Sequence, residues 1–370
     1  MSMQVSYKKQ IVFFTLFLIL ILGVLEIVAN IWWINETKCS FQNNEVFAQM
    51  NDEELEKICQ DQINLNMNEF FILPDQNLNS VNINSLGFRG DEFNIEKNDN
   101  TFRIFFVGGS TAFGSGSTSD KTTIPGYLQK LFNQENFNYK IEVINAGKGG
   151  FNSFTEKTLV LETIQYLQPD LIIMYDGWND IRADYKPEFS YENWKQVCDL
   201  GQDDDFDVVL ILQPTLVFGE KPLTKQEYPN FLVDADYFGF KMTQKKEIYQ
   251  QYWKKMNEID SCTNIYDLRD VFENTTEPIY YDGGHMSDRG NEIIAKKISN
   301  ILGNQLENSN PKNYVENNFK NFTGDSFQEA SDISRNEDTK KIINFGKIYL
   351  EIRGLLTFYK TPIFLESIFK

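Results

Sequence analysis

Histidine occurs once in this chain of 370 residues, at His285, and cysteine four times, at Cys39, Cys59, Cys198 and Cys262. No C-x-x-C pair and no Cys/His cluster is present, which argues against a zinc site; neither a metal nor another cofactor is expected. Positive charge is also scarce. With 35 Lys and Arg against 53 Asp and Glu, the formal net charge is -18. A protein that neutralises phosphates without regard to sequence needs the opposite balance, so a nucleic-acid partner is excluded from the reading. No internal repeat is present, and a 41% hydrophobic, 24% charged composition is neither collagen-like nor wholly disordered. The length allows one substantial domain with extensions and does not demand a second core.

What the chain does have begins at its N-terminus. Lys8 and Lys9 precede a run over 11–34 that is apolar apart from Thr15, Glu26 and Asn30. A helix needs about 20 such residues to cross a hydrocarbon layer. Trp32 and Trp33 close the run, as indole rings do at a headgroup boundary. No A-x-A-like site follows, so the reading is an uncleaved transmembrane anchor rather than a signal peptide ending near Leu25. Glu26 lies toward the outer third, where a carboxylate costs less than at the centre. The lysines place residues 1–10 in the cytoplasm and the rest outside, a single-pass cell membrane protein with an extracytoplasmic body. All four cysteines then lie where disulfides persist. Of the three possible pairings, Cys39–Cys59 with Cys198–Cys262 closes the most local loops; isolated buried thiols are the alternative. Sequons at Asn35, Asn274 and Asn321 would also face outward.

Residues 35–100 read as a polar stalk and lead-in, with a short helix around Asp52–Gln60. From Phe102 short apolar runs alternate with helical segments: Arg103–Val107 then Ile124–Phe132, Ile141–Ile144 then Thr155–Leu167, Leu171–Tyr175, Phe206–Leu212 then Lys245–Ile259, Asn264–Leu268 then Asp288–Ile301. This alternation predicts βαβ units, and continuous apolar runs such as Ile104–Val107 predict parallel strands covered on both faces. The expected fold class is α/β: a three-layer α/β/α domain over 101–305 with a five-stranded parallel sheet. A polar linker starts at Leu306, and an amphipathic helix with Lys341, Lys347, Arg353 and Lys360 on one face closes the segment 306–370. Packing onto the body or stalk is preferred for that helix over a membrane-surface role.

In an open parallel sheet, ligands bind beyond the carboxyl ends of the strands. The residues directly after the apolar runs are therefore informative. They read Gly108-Gly109-Ser110-Thr111, then Asn145-Ala146-Gly147-Lys148-Gly149-Gly150, then Gly177-Trp178-Asn179-Asp180, and last Asp282-Gly283-Gly284-His285. A serine hydroxyl is a poor nucleophile until a base accepts its proton, and with one histidine that base is His285. Asp282 stands three residues before it and can orient the other ring nitrogen. Gly150 can offer an unobstructed N–H and Asn179 a side-chain amide to a developing oxyanion. Blander readings fail in part. A P-loop would need Lys at Ser115, a Rossmann fingerprint breaks at Ser119, and Ala112 replaces the last glycine of the G-x-S-x-G elbow. Asn179-Asp180 also admits a helix-capping role, Asp282 that of a turn residue, and Arg89 that of a structural loop residue.

These blocks resemble those of the SGNH (GDSL-like) hydrolases over roughly Phe102 to Leu302. Ser110 in GGST matches the first block, Gly150 in NAGKGG the second, Asn179 in GWND the third, and Asp282 with His285 in DGGH the last. GGST stands where GDS is usual, and Gly147 and Gly149 compete with Gly150 for the second block. The lead-in Asn84-Ser85-Leu86-Gly87-Phe88-Arg89 resembles one that precedes GGST in an extracytoplasmic branch. The resemblance implies a flavodoxin-like fold and ester hydrolysis through an acyl-enzyme. It also implies an oxyanion hole from the Ser110 N–H, the Gly150 N–H and the Asn179 amide. The expected partner is an ester-bearing lipid or glycan. Two other readings stand beside this one: an O-acetyltransferase acting on surface glycans, and a non-catalytic surface-binding module. Since imidazole ordinarily titrates near pH ~6.5, activity is expected to fall on the acid side. The segment Pro214–Phe240 is either a specificity loop or a packed excursion.

Overall fold

The computed structural model describes residues 6–36, 41, 43–68, 71–182, 186–232 and 242–312. Cys39, Asn321, the C-terminal helix expected within 342–359 and most of the polar linker lie outside those residues.

Helix α1 (Tyr7–Glu36) carries the apolar run. Within its Tyr7–Asn30 stretch an 18-residue window has a mean hydropathy of 3.0, so by length and composition it is long and apolar enough to cross a membrane. Glu26 is not left bare there: the Asn30 amide, one turn on, donates to its carboxylate at 3.3 Å and to its carbonyl at 2.8 Å. α1 belongs to one unit of the chain, and the described residues from 41 onward form a second, compact one.

The second unit opens with α2 (Asp52–Asn64), started by a capping box in which Asn51 and Glu54 satisfy each other's backbone N–H. A short antiparallel pair, β1 (Gln76–Asn77) and β2 (Asn82–Ile83), follows. Then come β3 (Thr101–Gly108), α3 (Ser110–Phe113), α4 (Ile124–Phe132), β4 (Lys140–Gly147), α5 (Ser153–Glu162), β5 (Leu171–Asp176) and α6 (Trp178–Arg182). The chain continues through α7 (Pro187–Asp203), β6 (Asp207–Leu212), α8 (Glu227–Leu232), α9 (Met242–Met256), β7 (Asn264–Asp267) and α10 (Asp288–Glu307). The five long strands form one parallel sheet in the order β4-β3-β5-β6-β7. α4 and α10 pack on each other, and α5, α7 and α9 form a separate row. This is the α/β fold with a five-stranded parallel sheet that the apolar runs predict.

The strands are buried because both faces are covered: every residue of β3 and β5 is inaccessible or nearly so. Each fully buried Ile, Leu or Phe contributes about 1.5–3 kcal/mol by leaving water. The chain steps from β3 outward to β4, then crosses back to β5 on the other side of β3. The order therefore reverses at β3, and the crevice that such a switch point opens lies beyond the carboxyl ends of β3 and β5. Ser110 and Asn179 come directly after those two ends.

Two features depart from expectation. No helix is expected between 175 and 206, yet α7 fills that interval. Its buried positions are Pro187, Ser190, Asn193, Trp194, Val197, Cys198 and Gly201, a helical spacing interrupted by the small or polar Ser190, Asn193 and Gly201, so apolar periodicity hardly registers. The lead-in is not loosely attached either. Arg89 is buried, and its guanidinium donates to the carbonyls of Ser80, Phe113 and Gly114 and to Asp120 at 2.8–3.0 Å. It thereby ties the lead-in to α3, as a structural loop residue would. Cys198 is bonded to Cys262, joining α7 to the entry of β7, and Cys59 is also in a disulfide.

Candidate active site

Glycine decides how the first block is built. β3 ends at Gly108 and Ser110 opens α3 directly after Gly109. A Cβ on Gly108 would sit 2.5 Å from the Tyr175 carbonyl, and one on Gly147 would collide with the backbone of Ala112 and Phe113. These two bare strand ends let the α3 turn lie flat across β3 and β4. Ser110 begins a helix, so its N–H has no partner within that helix and stays available.

The last block forms a loop between β7 and α10. Ser110 Oγ lies 2.6 Å from His285 Nε2, and His285 Nδ1 lies 2.8 Å from Asp282 Oδ2. The other Asp282 oxygen accepts the N–H groups of His285 at 2.7 Å and Gly284 at 2.9 Å. Asp282 is thus fixed at both oxygens, although its side chain is half-exposed. Burial alone would raise its pKa. The neighbouring imidazole and the hydrogen bonds outweigh that, and the carboxyl lies below its ordinary value. The loop crosses the Trp178 indole, and a Cβ on Gly284 would stand 3.0 Å from its Nε1, so glycine suits that position.

Asn179, on α6, donates its amide to the Phe151 carbonyl at 2.6 Å and lies against Gly109, where a Cβ would strike it. The third block is therefore brought to the first. Gly150 lies in the loop before Phe151, exposed, with φ +82 and no atom within 4 Å of where a Cβ would be. Its left-handed backbone favours glycine. The same loop is pinned to the nucleophile strand by the Lys148 N–H, which donates to the Gly108 carbonyl at 3.0 Å. Ser110, Asp282 and His285 thus form one hydrogen-bonded chain, with Asn179 beside it and Gly150 on the neighbouring loop.

A family model described as the GDSL-like Lipase/Acylhydrolase family matches residues 106–293. The chain belongs to that family. As a GDSL-like acylhydrolase it is a hydrolase acting on esters. Similar solved structures include an acetyl xylan esterase, AlAXEase, at 18% identity and TM-score 0.42, covering 54% of this chain and 100% of that one. Another is a variant of an acetylxylan esterase from Geobacillus stearothermophilus, at 16% identity and TM-score 0.40, covering 55% of this chain and 94% of that one. A third is a two-domain esterase active on acetylated mannans, at 16% identity and TM-score 0.39, covering 58% of this chain and 52% of that one. No curated protein matches the chain.

Sequence reasoning passes over several groups around this candidate site. Asp180, read there as an alternative helix cap, caps another helix, not its own. Its carboxylate accepts the Ser153 N–H at 2.9 Å at the start of α5, and the hydroxyls of Ser153 and Ser190, tying α6 to α5 and α7. Beneath it, Asp176 accepts the Trp194 indole N–H and the Gly177 N–H, both at 2.6 Å. Glu156, fully buried, has no donor facing either oxygen. Burial first, then the Asp176 and Asp180 charges, push Glu156 well above its ordinary range, which favours its protonated form. Burial and the Asp180 charge raise Asp176 as well.

The segment after β6 is in part a packed excursion. Leu216, Val217 and Phe218 are buried, and the Leu216 N–H donates to the Gly283 carbonyl at 3.1 Å. Glu227, fully buried, accepts from Lys221 at 2.7 Å and from the N–H groups of Ile279 at 2.9 Å and Tyr280 at 3.1 Å. It thereby braces the residues that lead into Asp282. Residues 233–240 of that segment lie outside the described residues. A signal for Glu227 exists only in retrospect, as an acidic residue in a chain rich in them.

Proposed function

We propose that this chain is a membrane-anchored, outward-facing serine esterase in which Ser110, His285 and Asp282 act as nucleophile, general base and orienting carboxylate. The observation that carries the reading is the continuous hydrogen-bonded chain from Ser110 Oγ through both ring nitrogens of His285 to Asp282. Ser110 Oγ attacks the ester carbonyl and its proton passes to Nε2. Negative charge on the carbonyl oxygen meets the N–H groups of Ser110 and Gly150 and the Asn179 amide. His285 then returns the proton to the departing alcohol, leaving an acyl-enzyme. Water, deprotonated by the same nitrogen, attacks that intermediate and frees the acid. A low Asp282 pKa suits this cycle, since the carboxylate must stay ionised beside an imidazolium.

α1 supplies the anchor in this proposal, and Lys8 and Lys9 in its first turn, ahead of the apolar run, favour a cytoplasmic N-terminus. Full-length protein in detergent should hydrolyse short acyl esters. Ser110→Ala and His285→Ala should each lower kcat by at least about a thousand-fold. Near-normal turnover in both variants would remove the reading. Recovery of an acylated sugar in place of free acid would redirect it to acyl transfer.

A further inference from the structure

A hydrogen bond at Nδ1 orients an imidazole but, acting at one ring atom, leaves the ring some freedom to turn about its Cβ–Cγ bond. That turn carries Nε2 away from the serine. Something flat against the ring face is needed to prevent it, and Tyr281 lies there. Its ring is nearly parallel to that of His285, with centroids 5.7 Å apart and planes 12° apart.

Tyr281 is itself wedged. Its hydroxyl donates to the Ser115 carbonyl at 3.2 Å, and the Ser115 N–H returns to the Ser110 carbonyl at 2.9 Å. A Cβ on Gly116 would approach the Tyr281 ring to 2.5 Å. On the other side stand Phe41 and Phe47, only 1% and 2% exposed. Their centroids lie 4.9 and 5.5 Å from that of Tyr281 and 4.6 Å from each other. Asn44, between them in sequence, donates its amide to the Tyr281 carbonyl at 3.1 Å. Phe41 comes soon after the end of α1 and, with Asn44 and Phe47, lies far outside the 106–293 stretch that the family model matches.

We propose that Tyr281 is a positioning residue for His285, and that Phe41 and Phe47, from the segment just after the apolar helix, complete the clamp that holds it. The acylhydrolase site is then finished by residues that the family's own blocks do not contain. This rests on His285 being the base. A purely structural aromatic cluster would change melting temperature and leave turnover of the folded enzyme untouched, so the two roles separate in kinetics.

The test uses the full-length chain in detergent, with kcat, KM, the rate of fluorophosphonate labelling of Ser110 and the melting temperature measured together. Tyr281→Phe keeps the ring and should retain most of kcat. Tyr281→Leu removes the stack and should lower kcat and the labelling rate by about ten- to a hundred-fold, with KM little changed, as a small misplacement of a catalytic group does. The pair Phe41→Leu with Phe47→Leu alters residues two rings removed from His285 and should lower kcat in the same direction. Wild-type kcat in Tyr281→Leu or in the phenylalanine pair overturns the proposal. If Tyr281→Leu does not fold, the pair decides alone. Ser110→Ala and His285→Ala run alongside. Activity in those two would sink the reading of the site itself, whereas dead controls beside full-rate clamp variants would sink only the clamp.

Discussion

Glu156 shows how a single side chain can depend on its surroundings for its charge. Its folded-state pKa is raised, by burial first and then by the neighbouring aspartates, above the ordinary value of 4.5. The folded chain therefore holds a proton that the unfolded chain releases. The stabilisation is complete below that ordinary value and is lost as pH rises toward the folded one, at up to about 1.4 kcal/mol per pH unit. Glu156→Gln keeps the size of the side chain without the ionisation. Its melting temperature should exceed that of the parent at pH 8 and match it more closely at pH 5. Thermal melts across that range check this, and a variant less stable at pH 8 would refute the assignment of the proton. His285 is legible from sequence because it has no competitor. Glu156 is not, since one glutamate on α5 reads as an ordinary exposed acid until the fold buries it behind α6.

Among the elements, α3 and the strand ends beneath it carry the geometry of Ser110. Gly147→Ala would push a methyl group into the Ala112–Phe113 backbone. Overpacking of this kind costs about 1–3 kcal/mol. The expected result is a lower melting temperature together with slower labelling of Ser110, because the turn that bears the serine must lift. Normal labelling by a destabilised variant would mean that the turn relaxes without moving Ser110. The strands and most helices are legible because their apolar residues recur at fixed intervals. α7 is not: Ser190, Asn193 and Gly201 occupy its inward face, where Asn193 donates to Ser153 and Ser190 to Asp180. Polar contacts replace apolar burial along that face and erase the periodic signal.

For the molecule as a whole, covalent closure adds to burial. The Cys198–Cys262 bond spans 64 residues that include β6, α8 and α9. A loop of that size restricts the unfolded chain by about 4 kcal/mol in the chain-entropy account. Replacing both cysteines with serine should lower the melting temperature while leaving kcat at permissive temperature near its parent value, since neither cysteine touches the site. A melt unchanged by the substitution would show that the denatured chain is already restricted there. Buried ties such as those of the Glu227 carboxylate to the Ile279 and Tyr280 N–H groups reach from the α8 region to the approach of Asp282, so the excursion after β6 and the histidine loop are expected to loosen together.

Apolar period, strand-end glycines and four short blocks carried the α/β class, the parallel sheet, the apolar span and the residues for the candidate site. These are local properties: each depends on residue types within a few positions of one another. Which glycine belongs beside Asn179, where Glu227 and Tyr281 stand, and the union of 41–47 with the histidine loop depend on contacts between distant segments. No pattern along the chain encodes them. Phe41, Phe47 and Tyr281 are ordinary aromatics in sequence; packing alone stacks Tyr281 on the only histidine and gathers the two phenylalanines against it.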